Sequence, residues 1–258
     1  MTENPYETGQ PAIEATEAVA KSGCGKFIIA GCVVLGILGL LVLFLLPAFR
    51  RSPEPAYRYF CKKNLDDIGA AMHNYHDKHG HFPPAFTTDN NGNRLHSWRT
   101  LLLPFLDQAA LYETIDLNKP WDHPDNARAR DTKLEIFHCR SANLKPSYTN
   151  YKAIIGDHAF FSPDGEPRKR GDIIDGLSAT IMFAEVAADE AVQWMNPNED
   201  DSAREFLIER LNQASAPHPG GLNAAFADRS SKFISHNAPT PSIEAIITID
   251  GKDHAEVD

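Results

Sequence analysis

The 258-residue chain is short of cationic side chains: 25 Lys and Arg stand against 35 Asp and Glu, a formal net charge of −10. Nucleic acid is therefore not an expected partner, because phosphate binding requires a basic face. The one dense cationic cluster, "EPRKRGD" from Glu166 to Asp172, is short and turn-rich and reads as a solvated loop. Cysteine is scarce, at four residues with no C-x-x-C pair, which argues against a zinc site built on thiols. G-x-S-x-G, H-E-x-x-H, a phosphate-binding glycine loop and a dinucleotide fingerprint are all missing. No catalytic residue and no cofactor is assigned, and the chain is not expected to be an enzyme. Internal repeats and low-complexity tracts are absent too. The composition, 42% hydrophobic and 23% charged, is that of a globular protein with a real core.

What is present first is one long apolar run, "FIIAGCVVLGILGLLVLFLLPAF", uncharged from Phe27 to Phe49. At ~1.5 Å per residue it exceeds the roughly 30 Å hydrocarbon core, so residues 27–49 are expected to form a single transmembrane helix with the lipid bilayer as partner. A cleaved signal peptide fits poorly, because the run is long, starts late and lacks a small-x-small site after it. "IAGC" (Ile29 to Cys32) resembles a lipoprotein box, but the apolar run continues past it instead of closing there. Residues 1–26 are polar, acidic and poor in aromatics, and are expected to be a disordered tail. Lys21 and Lys26 flank one side; Arg50, Arg51, Arg58, Lys62 and Lys63 follow the other. Taken literally, the positive-inside rule puts the large domain in the cytoplasm.

Beyond the span, Tyr59, Phe60, Leu65, Ile68, Ala71, Met72 and Tyr75 recur at three- and four-residue steps and predict a helix from Pro55 to His79. Gly80 and Pro83-Pro84 stop it. Leu95 to Ile115 predicts a second helical stretch with Ser97 as N-cap and Pro104 as kink or break. Tyr148 to Gly156 and Ser178 to Val186 read as strands, Asp200 to Gln213 as a helix, Leu222 to Ser235 as a hairpin, and Thr240 to Gly251 as a short helix or strand. A helix first and strands late make an α+β layout.

Several phrases together resemble a known family. "CKKNLDDIGAAMHNYHDKHGHFPPAF" (Cys61 to Phe86), "LHSWRTLLLPFLDQAALYETIDLNKPWD" (Leu95 to Asp122), "FHCRS" (Phe137 to Ser141), "TNYKAIIG", "DIIDGLSATIMFAEV" and "HPGGLNAAFAD" occur in the order of the planctomycete-type, pilin-like proteins of unknown function (DUF1559 domain). These carry a C-terminal signature of His, nine residues, then Asp-Gly (prepilin-type, processing-associated), matched here by His218 and Asp228. The resemblance covers residues 56–251. It implies a pilin-like fold, with a long N-terminal helix packed on an antiparallel β-sheet. It also implies an extracytoplasmic domain and envelope or secretion-system proteins as partners, and it supplies no catalytic residues. Two positions depart from the pattern. Gly25 is followed by "KFIIAG", so Ala30 stands where processed members carry Glu, which points to a permanent anchor. Arg229 replaces the signature's glycine.

Cys24 and Cys32 lie beside or inside the span, leaving Cys61 and Cys139 in the domain. In an exported domain two such cysteines suggest a disulfide, worth about 4 kcal/mol in the chain-entropy model. Two buried free thiols are the other reading. The disulfide reading and the resemblance together override the literal charge count and place the C-terminal domain outside the cytoplasm.

Three further features invite a site. His73, His76 and Asp77 in "HNYHDKHGH" share a helix face and suit zinc by ligand type, against the plainer reading of a polar helix end with favourable His. Loop aspartates hold calcium in pilin-like domains, with Asp172 and Asp175 the nearest match. His218 and Asp228 invite an acid–base pair, but the alternation around them reads better as a hairpin. A two-residue turn at Asp228-Arg229 would pair Ala227 with Ser230, Phe226 with Ser231 and Ala224 with Phe233. Leu222, Ala224, Phe226 and Phe233 would then share a core face. Arg229 would stand where the turn requires positive φ. The expected function is a membrane-anchored structural or interaction protein of the cell envelope. The alternatives are an extracytoplasmic solute-binding module with Trp98, Trp121 and Trp194 lining a pocket, and a histidine-based metal hydrolase.

Overall fold

The computed structural model describes residues 20–49, 54–199, 202–210 and 216–251. The chain divides into two compact units, one ending at Ser52 and one beginning at Pro53. Among the described residues the first holds one helix, α1 (Ala20–Phe49). Residues 20–26, expected to belong to a disordered tail, are its opening turns, since that stretch contains no proline to stop the helix running back from the apolar segment. Residues 1–19 lie outside the described residues. The side chains described, from Phe27 to Val42, are all exposed, with Phe27 at 82% and Leu35 at 69%. That stretch measures roughly 24 Å at ~1.5 Å per residue, less than the hydrocarbon core. Among the described residues no helix is long and apolar enough to cross a membrane.

The second unit is α+β and begins with α2 (Glu54–His79). The helix ends where Gly80 takes φ +81° and its N–H returns to the His76 carbonyl at 2.7 Å. Its inward face is Cys61, Leu65, Ile68, Gly69, Ala71, Met72, His73 and Tyr75. Tyr59 and Phe60, expected on that face, are instead 65% and 40% exposed. The buried stripe starts at Cys61, two residues after Tyr59.

The strands are β1 (Phe86–Thr88), β2 (Arg94–Ser97), β3 (Tyr148–Thr149), β4 (Tyr151–Ala153), β5 (Ile181–Glu185), β6 (Val192–Gln193), β7 (Gly221–Phe226) and β8 (Ser231–Ser235). The short helices are α3 (Trp98–Leu102), α4 (Ala109–Tyr112), α5 (Ala127–Arg130), α6 (Ser202–Glu205) and α7 (Thr240–Ile247). The helical stretch expected over Leu95 to Ile115 loses its first residues to β2, and the kink or break expected at Pro104 is a break, a 3₁₀ turn between α3 and α4. Proline has no N–H to continue the helical ladder. Ser97 stands at the N-cap of α3, but its hydroxyl donates to the Trp194 carbonyl rather than capping.

The main sheet is antiparallel, in the order β4-β5-β7-β8. One face carries Phe183 and Ala225 toward a core shared with Leu65, Ile68 and Met72 of α2. The other carries Leu222, Ala224, Phe226 and Ile234 against Ile243, Ile246 and Ile247 of α7. A sheet covered on both faces explains why every residue of β5 and β7 is buried. Edge strand β4 is closed off by Glu199, which accepts from the Ala153 N–H at 2.7 Å and pairs with the buried Arg99.

The β7–β8 hairpin exists, but its register is one residue away from that expected. Asn223 opposes Phe233, Ala224 opposes Lys232 and Ala225 opposes Ser231. The loop holds Ala227, Asp228 and Arg229, closed by Arg229 N–H to the Phe226 carbonyl and Phe226 N–H to the Ser230 carbonyl. This is a β-turn followed by one left-handed residue, Arg229 at φ 77°. A one-residue slip exchanges faces. Ile234, not Phe233, therefore joins Leu222, while Phe233 is half-buried beneath the Arg58 guanidinium.

Candidate functional site

Under the first turns of α2 lies a cluster of groups that are seldom buried together. Glu54 and Cys61 are two turns apart on one helix face. Cys139 and Ser141 follow the 3₁₀ turn Glu135–Phe137. That segment is pinned to the helix by the Asn64 side-chain amide, which donates to the Glu135 and His138 carbonyls. Glu185 ends β5 on the α2 side of the sheet, in phase with Phe183. His218 opens a tight turn whose N–H and C=O pair with those of Gly221. Only glycine fits at 221, because a Cβ there would overlap the Ile234 carbonyl oxygen. This turn directs the imidazole back under α2.

The histidine is the hub. Its Nδ1 lies 2.5 Å from Glu54 Oε1 and 3.2 Å from Ser141 Oγ, and its Nε2 lies 3.2 Å from Glu185 Oε1. Glu185 Oε2 accepts from both the backbone and side-chain N–H of Asn223, at 2.7 and 3.0 Å. Cys139 Sγ is 3.9 Å from Nε2, and the sulfurs of Cys61 and Cys139 are 2.6 Å apart. The side chains of His218 and Glu185 are fully buried, as are both cysteines.

Electrostatics follow from these contacts. Burial acts to lower the pKa of His218, but its bonds to Cys61, Glu185 and Glu54 outweigh that and raise it to about 10. The ring is thus an imidazolium held between two carboxylates. Burial raises Glu185 against the bonds it receives. The thiol of Cys139 donates to Cys61 and draws its pKa down to about 4, with help from His218. The same contact, with burial, pushes Cys139 up. One sulfur is therefore favoured as thiolate and the other as its thiol partner.

One ligand atom each from Cys61, Cys139, Glu185 and His218 lie within 4.8 Å of one another. The donor types suit zinc, and a touching thiol pair also suits oxidation to a disulfide. The described grooves open elsewhere. One, of about 620 Å³, runs between Asp67, Ala70 and Asn74 of α2 and residues 105–108 and 132–136. No tryptophan lines it; Trp98 and Trp194 are core residues.

Cys61, Cys139 and His218 meet in the cluster. Asp228 is not with them: its carboxylate accepts from Ser230 N–H and Oγ inside the hairpin turn. His73 is buried between the Ala227 carbonyl, which accepts from Nε2 at 2.7 Å, and the Arg170 guanidinium, which donates to Nδ1 at 3.0 Å. Burial lowers its pKa. Both ring nitrogens are engaged, Asp77 is exposed and turned to Arg170, and His76 packs on Phe82. The three do not converge on a metal position. Asp172 caps the Lys169 N–H, and Asp175 accepts from Thr248 and Gly251. Glu54 and Glu185 were not singled out from sequence. The available signal was a glutamate inside the otherwise apolar "IMFAEV", since a charge in a buried strand demands a partner.

A family model described as a protein of unknown function (DUF1559) matches residues 54–209, more than half of the chain, and the chain belongs to that family. His218 and Asp228 lie beyond the matched region. No curated protein and no solved structure matches the chain.

Proposed function

We propose that this member of the family is a membrane-anchored, pilin-like structural or interaction protein of the cell envelope, acting without catalysis. Residues 27–49 serve as its single-pass anchor, and the domain beyond faces out of the cytoplasm toward other envelope or secretion-system proteins. The observation that carries the reading is α1. Its described side chains, Phe27 to Val42, are apolar or small and all exposed, and the sequence stays uncharged to Phe49. A lipid environment removes the cost of that exposure. The pilin-like part is supported by a long helix laid on an antiparallel sheet. The outward placement is supported by a thiol pair suited to an oxidising compartment.

Solute binding is the second reading, favoured by the groove of about 620 Å³, a size that suits a small ligand. Alkaline carbonate extraction of membranes separates anchored from peripheral protein. The full chain is expected to remain in the pellet, and a chain lacking residues 27–49 to appear in the supernatant. Full-length protein in the soluble fraction would overturn the proposal.

A further inference from the structure

We infer that Cys61 and Cys139 close into a disulfide, a covalent clasp between α2 and the segment after residue 137 that is built around the His218–Glu185–Glu54 cluster. The inference stands on the geometry of the two sulfurs and does not depend on the membrane anchor. At 2.6 Å they are closer than unbonded sulfurs rest and about half an ångström from a bond length near 2.05 Å.

Zinc fits less well. Two thiolates on one tetrahedral zinc, each about 2.3 Å from the metal, stand well over 3 Å apart. The other donors are also engaged. His218 Nε2 is on Glu185, Nδ1 is on Glu54, and Glu185 Oε2 takes two N–H groups of Asn223. This network is complete without a cation, and it leaves the sulfur pair as the part of the cluster with chemistry still to do.

The reaction is thiol–disulfide exchange with an incoming disulfide, R–S–S–R, from an oxidoreductase or a low-molecular-weight disulfide such as oxidised glutathione. The Cys139 thiolate attacks it, giving Cys139–S–S–R and releasing one R–S⁻. The Cys61 thiolate then attacks the Cys139 sulfur, forming the Cys61–Cys139 bond and releasing the second R–S⁻. Two protons and two electrons leave the protein and appear in two R–SH. The imidazolium of His218, beside the pair, favours the attacking thiolate of Cys61. Both cysteines are fully buried in the finished fold, so the first exchange takes place on Cys139 before its segment docks on α2, and the second as docking brings it to Cys61 and His218.

The test uses the full chain, unfolded and returned to detergent in a buffer of reduced and oxidised glutathione, then denatured in acid and alkylated without reductant. Cys24 and Cys32 act as internal controls. The expected result is two alkyl groups per chain, four after reduction, and a cross-linked peptide pair containing Cys61 and Cys139. Cys61→Ala and Cys139→Ala should each carry three groups and lose the cross-linked pair. If either variant fails to fold, the wild-type mass still decides. Four groups on unreduced wild-type protein would overturn the inference, and four groups with one equivalent of bound zinc would replace it with a metal site.

Discussion

Arg229 passes directly beneath Gly69: a Cβ placed on Gly69 would stand 3.5 Å from both the Cα and the carbonyl oxygen of Arg229. The long helix and the hairpin tip thus meet backbone to backbone, at the left-handed residue of the hairpin loop. A side chain held at φ 77° costs about 1 kcal/mol relative to glycine. Arg229→Gly is expected to raise the melting temperature by about 2–4 °C for a domain of this size. A lower melting temperature would contradict the turn assignment.

Cross-linking Cys61 to Cys139 closes a loop spanning 78 residues, for which chain entropy gives about 4 kcal/mol. Chemical denaturation of the oxidised protein, with and without reductant, should show a difference of that order. Cys61→Ala, Cys139→Ala and the double variant should lose similar amounts, since one bond is removed in every case. Additive losses would mean that the two cysteines stabilise the fold separately.

Glu185 accepts from His218 and from two N–H groups of Asn223 while fully buried. Glu185→Ala strands those donors and an imidazolium, so a loss of about 3–5 kcal/mol is expected from equilibrium unfolding. A loss below ~1 kcal/mol would show that the cluster is not a structural hub.

The pH dependence has a definite sign. His218 is raised from an ordinary 6.5 to about 10 in the folded protein, so the folded state binds the proton more tightly than the unfolded one. Its contribution is complete below about 6.5 and is lost as pH rises through about 10. Glu185, also raised, acts in the same direction at lower pH. The groups facing the imidazole are Glu54 and Cys61 from α2, Cys139 and Ser141 from the following segment, and Glu185 from β5. Closing the disulfide removes the Cys61 thiolate and draws the upper limit downward. Wild-type stability minus that of His218→Gln should shrink steadily between pH 7 and pH 10; a flat difference would contradict the assignment.

Local features were legible from the sequence. The α2 period, its stop at Gly80 and the positive φ of Arg229 follow from neighbouring residues. The hairpin was legible too, but its register was not, because two- and three-residue loops fit the same alternation and differ by one pairing step. The start of the helical stretch over Leu95 to Ile115 was not legible, because β2 is made by pairing with β1 and not by local preference. The cluster was least legible. Its histidine meets glutamates 164 and 33 residues away, and nothing local to "HPGG" announces either partner. The family signature drew attention to His218 with Asp228, whereas the packing joins His218 to Glu54 and Glu185.

An anchored domain that faces out of the cytoplasm is tested most directly by a membrane-impermeant amine-reactive label on intact cells. Lys62, Lys63 and Lys133 have exposed or half-exposed side chains suited to the reagent. These lysines are expected to be labelled in cells with a sealed cytoplasmic membrane, without lysis. Labelling that appears only after that membrane is permeabilised would place the domain in the cytoplasm and overturn the outward placement.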